Sequence, residues 1–280
     1  MKTLISATDL MQALKGPHAP VLLDCAFELS DPGAGRRAWG QGHLPGAHYL
    51  NLEEDLSGPK HDAAGQFRGR HPLPERAALA ACLGALGIGP ATPLVAYDAQ
   101  GGPYAARCWW LLRWLGHDNV AVLDGGIAAW RAAGGALTDA PSPATPGEPY
   151  PLHAPALPTI DAEAVRAGLG RVRLVDARGG ERFRGEVEPL DAAAGHIPGA
   201  RNRCFKDNLA ADGRFKSAAQ LRAEWTPLAS GDELVHYCGS GVTACHNLLA
   251  AAHAGLGDGT LYPGSWSEWS SNPARPQAVG

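Results

Sequence analysis

Hydrophobic positions along this chain fall into short runs. Val21 to Asp24, Leu94 to Tyr97, Val172 to Asp176 and Leu234 to Tyr237 are apolar stretches rich in Val and Leu, with the length of buried strands. Between them lie stretches of helical period with recognisable starts. Ser6 precedes one, Thr159 precedes Ile160-Asp161-Ala162-Glu163, and a glycine-rich turn opens into Ala244 to Ala252. Tyr104 to Leu115 reads as a further helix, on which Trp110 and Trp114 sit one turn apart and suit packing rather than cofactor binding. Strands alternating with helices predict an α/β fold with a mostly parallel sheet flanked by helices.

The pattern is written twice. Leu22-Leu23-Asp24 is answered by Leu174-Val175-Asp176, Gly42-His43-Leu44-Pro45-Gly46-Ala47 by Gly195-His196-Ile197-Pro198-Gly199-Ala200, and Val95-Ala96-Tyr97-Asp98 by Val235-His236-Tyr237-Cys238. Two domains follow, 1–138 and 159–280, joined by a proline-rich stretch over 139–158 that reads as an exposed linker. His43 and His196, repeated in the same turn, point to structure rather than catalysis.

Composition narrows the classes. At 280 residues either half has enough chain for its own core, and 45% hydrophobic with 19% charged residues is a globular profile. A net charge of -4 gives no reason to expect nucleic acid or an acidic membrane surface as partner. The six cysteines form no CxxC pair and no regular framework, no nucleotide loop or metal-ligand cluster occurs, and no cofactor is expected. With no apolar leader and no long apolar run, a cytoplasmic protein with reduced thiols is expected.

One cysteine stands apart. Cys238 lies between a strand and the turn Gly239-Ser240-Gly241-Val242-Thr243, which opens into a helix. Amides of such a turn and the positive end of the helix converge on an anion, and they favour a nucleophilic thiolate. In α/β sheets ligands collect outside the carboxyl ends of strands, where this residue is expected. The plainer alternative is a cysteine packed as a small hydrophobe at a strand end. Asp98 occupies the matching position of the first half, so chemistry is expected only in the second half. The first would form one wall of an interdomain cleft. Cys245, seven residues on, fits the helix core better than a resolving thiol.

These motifs resemble the two-domain rhodanese family of sulfurtransferases over nearly the whole chain. The resemblance rests on both GH[LI]PGA turns, Leu123-Asp124-Gly125-Gly126, Tyr262-Pro263-Gly264-Ser265-Trp266-Ser267-Glu268-Trp269, and the loop Cys238 to Thr243. It implies tandem rhodanese-like domains in which Cys238 takes sulfur from a donor, becomes a persulfide and passes the sulfur to cyanide or to a thiol, either a small one or a thioredoxin-like protein. The CGSGVT form of the loop resembles members acting on 3-mercaptopyruvate; thiosulfate is the alternative donor. Backbone N–H groups of Gly239, Gly241, Val242 and Thr243 are expected to cradle the sulfur. Ser240 matches the family's loop serine, His71 its histidine partner and Glu53 the acid behind it. Arg182 matches an arginine that binds the anionic donor, while Arg178 is read as structural. A second donor arginine, expected near Glu188-Pro189-Leu190-Asp191, is absent, and Arg201 or Arg203 is the candidate to replace it.

Two rival classes remain. Cysteine phosphatases also use a cysteine loop after a strand, but theirs closes with an arginine, and Thr243, Ala244 and Cys245 stand there instead. A non-catalytic rhodanese-like binding module is the other; it would not need Cys238.

Overall fold

A computed structural model of the protein describes residues 3–229 and 234–280. The chain divides into two compact units, one of Met1–Gly58, Pro74–Ala156 and Ala211–Arg214, the other of Pro59–Leu73, Leu157–Ala210 and Phe215–Gly280. This division departs from the boundaries expected from sequence. Segment 59–73 falls in the second unit because its end is fastened there: the Arg70 N–H donates to Ser267 Oγ at 3.1 Å. Gly69 also lies against Gly264, so closely that a Cβ would sit 2.8 Å from the Gly264 carbonyl oxygen.

In the first unit the elements run β1 (Leu4–Ile5), α1 (Ala7–Ala13), β2 (Val21–Asp24), α2 (Ala34–Gln41), β3 (Ala47–Tyr49), α3 (Arg76–Ala85), β4 (Leu94–Tyr97), α4 (Pro103–Leu115), β5 (Val120–Leu123) and α5 (Gly126–Ala132). Ser6 caps α1 as expected, its Oγ accepting from the Asp9 N–H at 3.1 Å. The sheet order is β1-β5-β4-β2-β3, all parallel. Its core gathers Leu10, Leu22, Leu44, Val95, Leu123 and Trp130. The stretch 139–158 is exposed along most of its length and forms no helix or strand, but it is tied down at single points. Tyr150 is buried, its N–H donates to the Ala80 carbonyl at 3.0 Å, and its hydroxyl lies 3.2 Å from His117 Nδ1. Proline denies this stretch a helix or strand, yet the amides of Gly147 and Tyr150 donate to carbonyls of α3 and that of Ala156 to a carbonyl of α4.

The second unit contains α6 (Ala162–Ala167), β6 (Arg173–Asp176), α7 (Gly180–Arg184), β7 (Arg201–Asn202), α8 (Ala218–Ala229), β8 (Leu234–Tyr237), α9 (Thr243–His253), β9 (Thr260–Leu261) and α10 (Ser265–Ser271). The cap of α6 is Asp161 rather than Thr159, with the Ala164 N–H donating to Asp161 Oδ1 at 2.8 Å. Strand order is β7-β6-β8-β9, again parallel, and a bridge from Thr159 to Leu261 stands where β1 pairs with β5 in the first unit. Leu174, Ile197, Val235, Tyr237, Trp266 and Trp269 form the core.

The repeated turns do the same work in both units. His43 Nδ1 meets the Trp39 carbonyl and His196 Nδ1 the Phe183 carbonyl, each at 2.8 Å. Both rings stack on the aromatic side chain of that residue, at 4.2 Å and 3.8 Å between centroids. The N–H after each histidine donates to a strand tyrosine hydroxyl, Leu44 to Tyr97 and Ile197 to Tyr237. These histidines lock a turn onto a sheet.

Candidate active site

Cys238 follows the last residue of β8, at the carboxyl end of the sheet, and α9 begins five residues later. The loop between is held from outside by the start of α10. The Cys238 N–H donates to Ser265 Oγ at 3.1 Å, and the Trp266 and Ser267 amides donate to the Cys238 and Gly239 carbonyls at 2.9 Å. Ser265 adopts φ +54°, a conformation rare for a residue with a Cβ, which marks this contact as one the fold enforces. Sequence reasoning passed over Ser265; its only signal was its place in the GSWSEW segment.

The Cys238 side chain is buried, and the Gly241 N–H donates to its Sγ at 3.1 Å. Gly241 can turn its amide inward because φ is +76°, and the Pro263 carbonyl oxygen lies 2.5 Å from where a Cβ would be. Of the amides expected to cradle the sulfur, this is the one bonded to it among the described residues; those of Gly239, Val242 and Thr243 are not. From below, the Cys245 thiol donates to the Gly241 carbonyl at 3.2 Å, so Cys245 braces the loop as part of the helix core.

Ser240 and His71 come together, with Ser240 Oγ 2.9 Å from His71 Nδ1 and both residues buried. Both belong to the second unit, although His71 stands far earlier in the chain. Glu53 lies in the first unit, half-buried in the turn after β3, where its N–H donates to Asn51 Oδ1 at 2.8 Å.

Charge is concentrated beside the loop. Arg182 binds Glu188 through Nε and Nη2, at 2.7 to 3.1 Å, and through Nη2 also reaches Asp191 Oδ2 at 2.9 Å. Arg70 is paired with the other oxygen of Asp191. Arg178 is fully engaged, by Asp176 at 2.7 Å, Glu188 at 3.2 Å, the Gly195 carbonyl, and the Trp266 ring beneath it. That is the structural role its position suggested. Arg201 and Arg203 do not join this cluster. Arg203 pairs with Glu224 at 2.6 Å and lies over Trp225, while Arg201 donates to the Pro227 carbonyl, so both side chains are committed to α8. The residue that sequence reasoning missed is Arg70. Its only signal was adjacency to His71.

Burial pushes the Cys82 thiol up to about 12 and the Cys25 thiol well above its ordinary value, which suppresses their thiolates at neutral pH.

Twin parallel α/β units, one presenting a cysteine in an amide-lined loop and the other an aspartate, define a duplicated domain with one thiol-bearing site. The rhodanese-like domain matches residues 6–133 and again 161–272, and the chain belongs to the rhodanese family. It is 50% identical to the Pseudomonas aeruginosa protein named "Probable 3-mercaptopyruvate sulfurtransferase", over 99% of this chain and 98% of that one. Human 3-mercaptopyruvate sulfurtransferase is 37% identical over 99% and 95% of the two chains, and chicken (Gallus gallus) thiosulfate sulfurtransferase 34% over 96% and 93%. The solved 3-mercaptopyruvate sulfurtransferase from Leishmania major superposes with a TM-score of 0.84 at 29% identity, covering 96% of this chain and 74% of that one. No helix among the described residues is long and apolar enough to cross a membrane.

Proposed function

We propose that this protein is a sulfurtransferase that takes the thiol sulfur of 3-mercaptopyruvate onto Cys238 and delivers it to a second thiol or to cyanide. The observation that carries this reading is the Cys238 sulfur at the carboxyl end of β8, with the Gly241 N–H 3.1 Å away and Arg182 beside the same loop.

In the first half-reaction the Cys238 thiolate attacks the donor sulfur, forming an S–S bond while the donor C–S bond breaks. The electron pair of that bond passes to carbon as the enolate of pyruvate, which takes up a proton. In this reading the Ser240 hydroxyl, hydrogen-bonded to His71, delivers it, and Glu53 remains the acid that the family resemblance implies. The loss of a proton leaves a persulfide anion, which the amides of Gly239, Val242 and Thr243 can meet as the outer sulfur projects beyond the Gly241 contact. In the second half-reaction an acceptor thiolate attacks the outer sulfur, and the Cys238 thiolate leaves. Splitting one transfer into two displacements at sulfur is the gain of covalent catalysis. The acceptor is a small thiol or a thioredoxin-like dithiol, in a reducing, cytoplasmic setting that keeps Cys238 reduced.

Thiosulfate is the second donor reading, favoured by the chicken relative and by the cationic side chains at the loop. The test is kcat/KM for 3-mercaptopyruvate and thiosulfate side by side, with a dithiol acceptor, together with the intact mass of enzyme mixed with donor alone. The expected result is a preference for 3-mercaptopyruvate and a gain of one sulfur, about 32 Da, that disappears in Cys238→Ser. Preference for thiosulfate replaces the donor and keeps the mechanism. Turnover retained by Cys238→Ser overturns the mechanism, and activity with neither donor leaves a binding module.

A further inference from the structure

We infer that Arg70, from a segment outside the rhodanese arginine motif, is the second guanidinium that grips the donor, and that Arg70 and Arg182 together bind the carboxylate and keto oxygens of an α-keto acid. The inference rests on the sulfurtransferase reading and names how its donor is recognised.

Both guanidinium groups converge on one point. A Cβ built on Gly239, the residue after the nucleophile, would lie 2.7 Å from Arg70 Nη2 and 3.5 and 3.6 Å from Arg182 Nη1 and Nη2. Each arginine is anchored through one side and open on the other. Asp191 splits its carboxylate between them, Oδ1 to Arg70 Nη1 and Oδ2 to Arg182 Nη2. Glu188 holds the remaining edge of Arg182. Arg70 Nη2 and Arg182 Nη1, the nitrogens over Gly239, have no protein partner among the described residues, and neither has Arg70 Nε.

Two cations this close repel each other, and the neighbouring Arg182, after burial, draws the Arg70 guanidinium down from its ordinary range while Cys238 opposes the shift. Asp191 is what holds the pair together. Its side chain is 1% exposed, whereas both arginine side chains are 20% exposed. The carboxylate therefore lies behind the pair, and the guanidinium edges face the loop. Nine positions beyond Arg182, where the family resemblance implies a cation, the chain carries this acid instead, and the acid recruits Arg70 from another segment.

The chemistry of the arrangement selects its ligand. Two planar forks side by side offer N–H donors in a row, matching adjacent oxygens of a flat α-keto carboxylate. They sit next to the atom that must attack the sulfur on the third carbon of such a donor. Arg70 thus acts in donor loading and not in unloading.

The experiment separates the two half-reactions. Persulfide formation on the full-length protein is followed by rapid mixing with 3-mercaptopyruvate and intact mass, for wild type, Arg70→Gln and Arg70→Lys. Unloading is followed with enzyme charged from inorganic polysulfide and discharged by dithiothreitol. Loss of one charge-assisted contact predicts that Arg70→Gln loads with kcat/KM lower by about ten- to a hundredfold, carried mainly by KM. Unloading stays at the wild-type rate, and Arg70→Lys or added guanidinium restores part of the loading. Unchanged loading in Arg70→Gln overturns this inference alone. Equal losses in both half-reactions, with no recovery by Lys or guanidinium, show a structural residue and overturn it too. A wild type that gains no sulfur from 3-mercaptopyruvate or thiosulfate overturns the proposed function, and this inference with it.

Discussion

His236 and Cys238 lie two residues apart, and the strand gives them opposite fates. Successive side chains of a strand point alternately, but a residue beyond the strand end escapes that rule. His236, inside β8, is buried with its Nδ1 unpartnered among the described residues, and desolvation lowers its pKa from 6.5 to about 3. The unfolded chain binds a proton at this histidine below pH 6.5, whereas the native chain does not do so until about pH 3. Stability from this residue is therefore complete above pH 6.5 and declines as pH falls, by about 1.4 kcal/mol per unit. Between pH 7.5 and 5.0 wild type is expected to lose about 2 kcal/mol more denaturant stability than His236→Gln. Parallel curves for the two proteins would remove His236 as the cause. The histidine was visible in the sequence, but its neutrality was not, because burial is a property of the packed sheet. Cys238 was more legible, since a strand, a cysteine and two glycines specify a loop at a sheet end without tertiary information. The roles open to His71 and Arg70 were less so, because side chains far apart in the chain meet only after β8 and segment 59–73 are in place.

Among the elements, the loop from Cys238 to α9 depends on one backbone conformation. Gly241→Ala would place a methyl group 2.5 Å from the Pro263 carbonyl oxygen and hold a non-glycine residue at φ +76°. The left-handed conformation alone costs about 1–2 kcal/mol, before the contact is relieved. Relief moves the amide off Sγ, and losing one such donor lowers kcat by about 10²- to 10³-fold in comparable sites. The variant is expected to fold with a lower Tm and to load sulfur at least that much more slowly; wild-type loading would show that the Gly241 amide has no role in the displacement. The four-residue strands β2, β4, β6 and β8 and the helices α1, α4 and α9 were readable from periodicity, whereas α3, α8 and β5 were not. Two- and three-residue strands such as β7, β9 and β3 were not, because they are strands only by pairing with a neighbour. Asp161 displaced Thr159 as a cap for a similar reason: Thr159 is engaged in the bridge to Leu261, and the helix starts where the chain leaves that pairing.

Across the whole molecule, the two units differ most plainly in chemistry at the position of the cysteine. In the first unit Asp98 occupies the place of Cys238, and its carboxylate accepts from Gln100 and Gly102 at 2.9 and 2.8 Å and from Tyr104 and Ala105 at 3.0 Å. Burial pushes this carboxyl up and the four amides pull it back. A loop whose amides are taken by its own side chain has none left for a substrate anion. Asp98→Cys in a Cys238→Ser background frees those four amides, but the Arg70–Arg182 pair stands over Gly239 in the second unit, so it is expected to form no persulfide from 3-mercaptopyruvate; a sulfur adduct mapped to position 98 would show that the first unit keeps a latent site. By itself, the sequence determined that two α/β units exist and that a single cysteine loop lies in the second, because these follow from local patterns and short motifs. Only the tertiary structure decided that 59–73 belongs to the second unit, that Tyr150 anchors the stretch up to Ala156 to the first, and that Arg70 rather than Arg201 or Arg203 stands beside Arg182. Those outcomes depend on which distant side chains a buried carboxylate such as Asp191 can reach, and no local pattern encodes that distance.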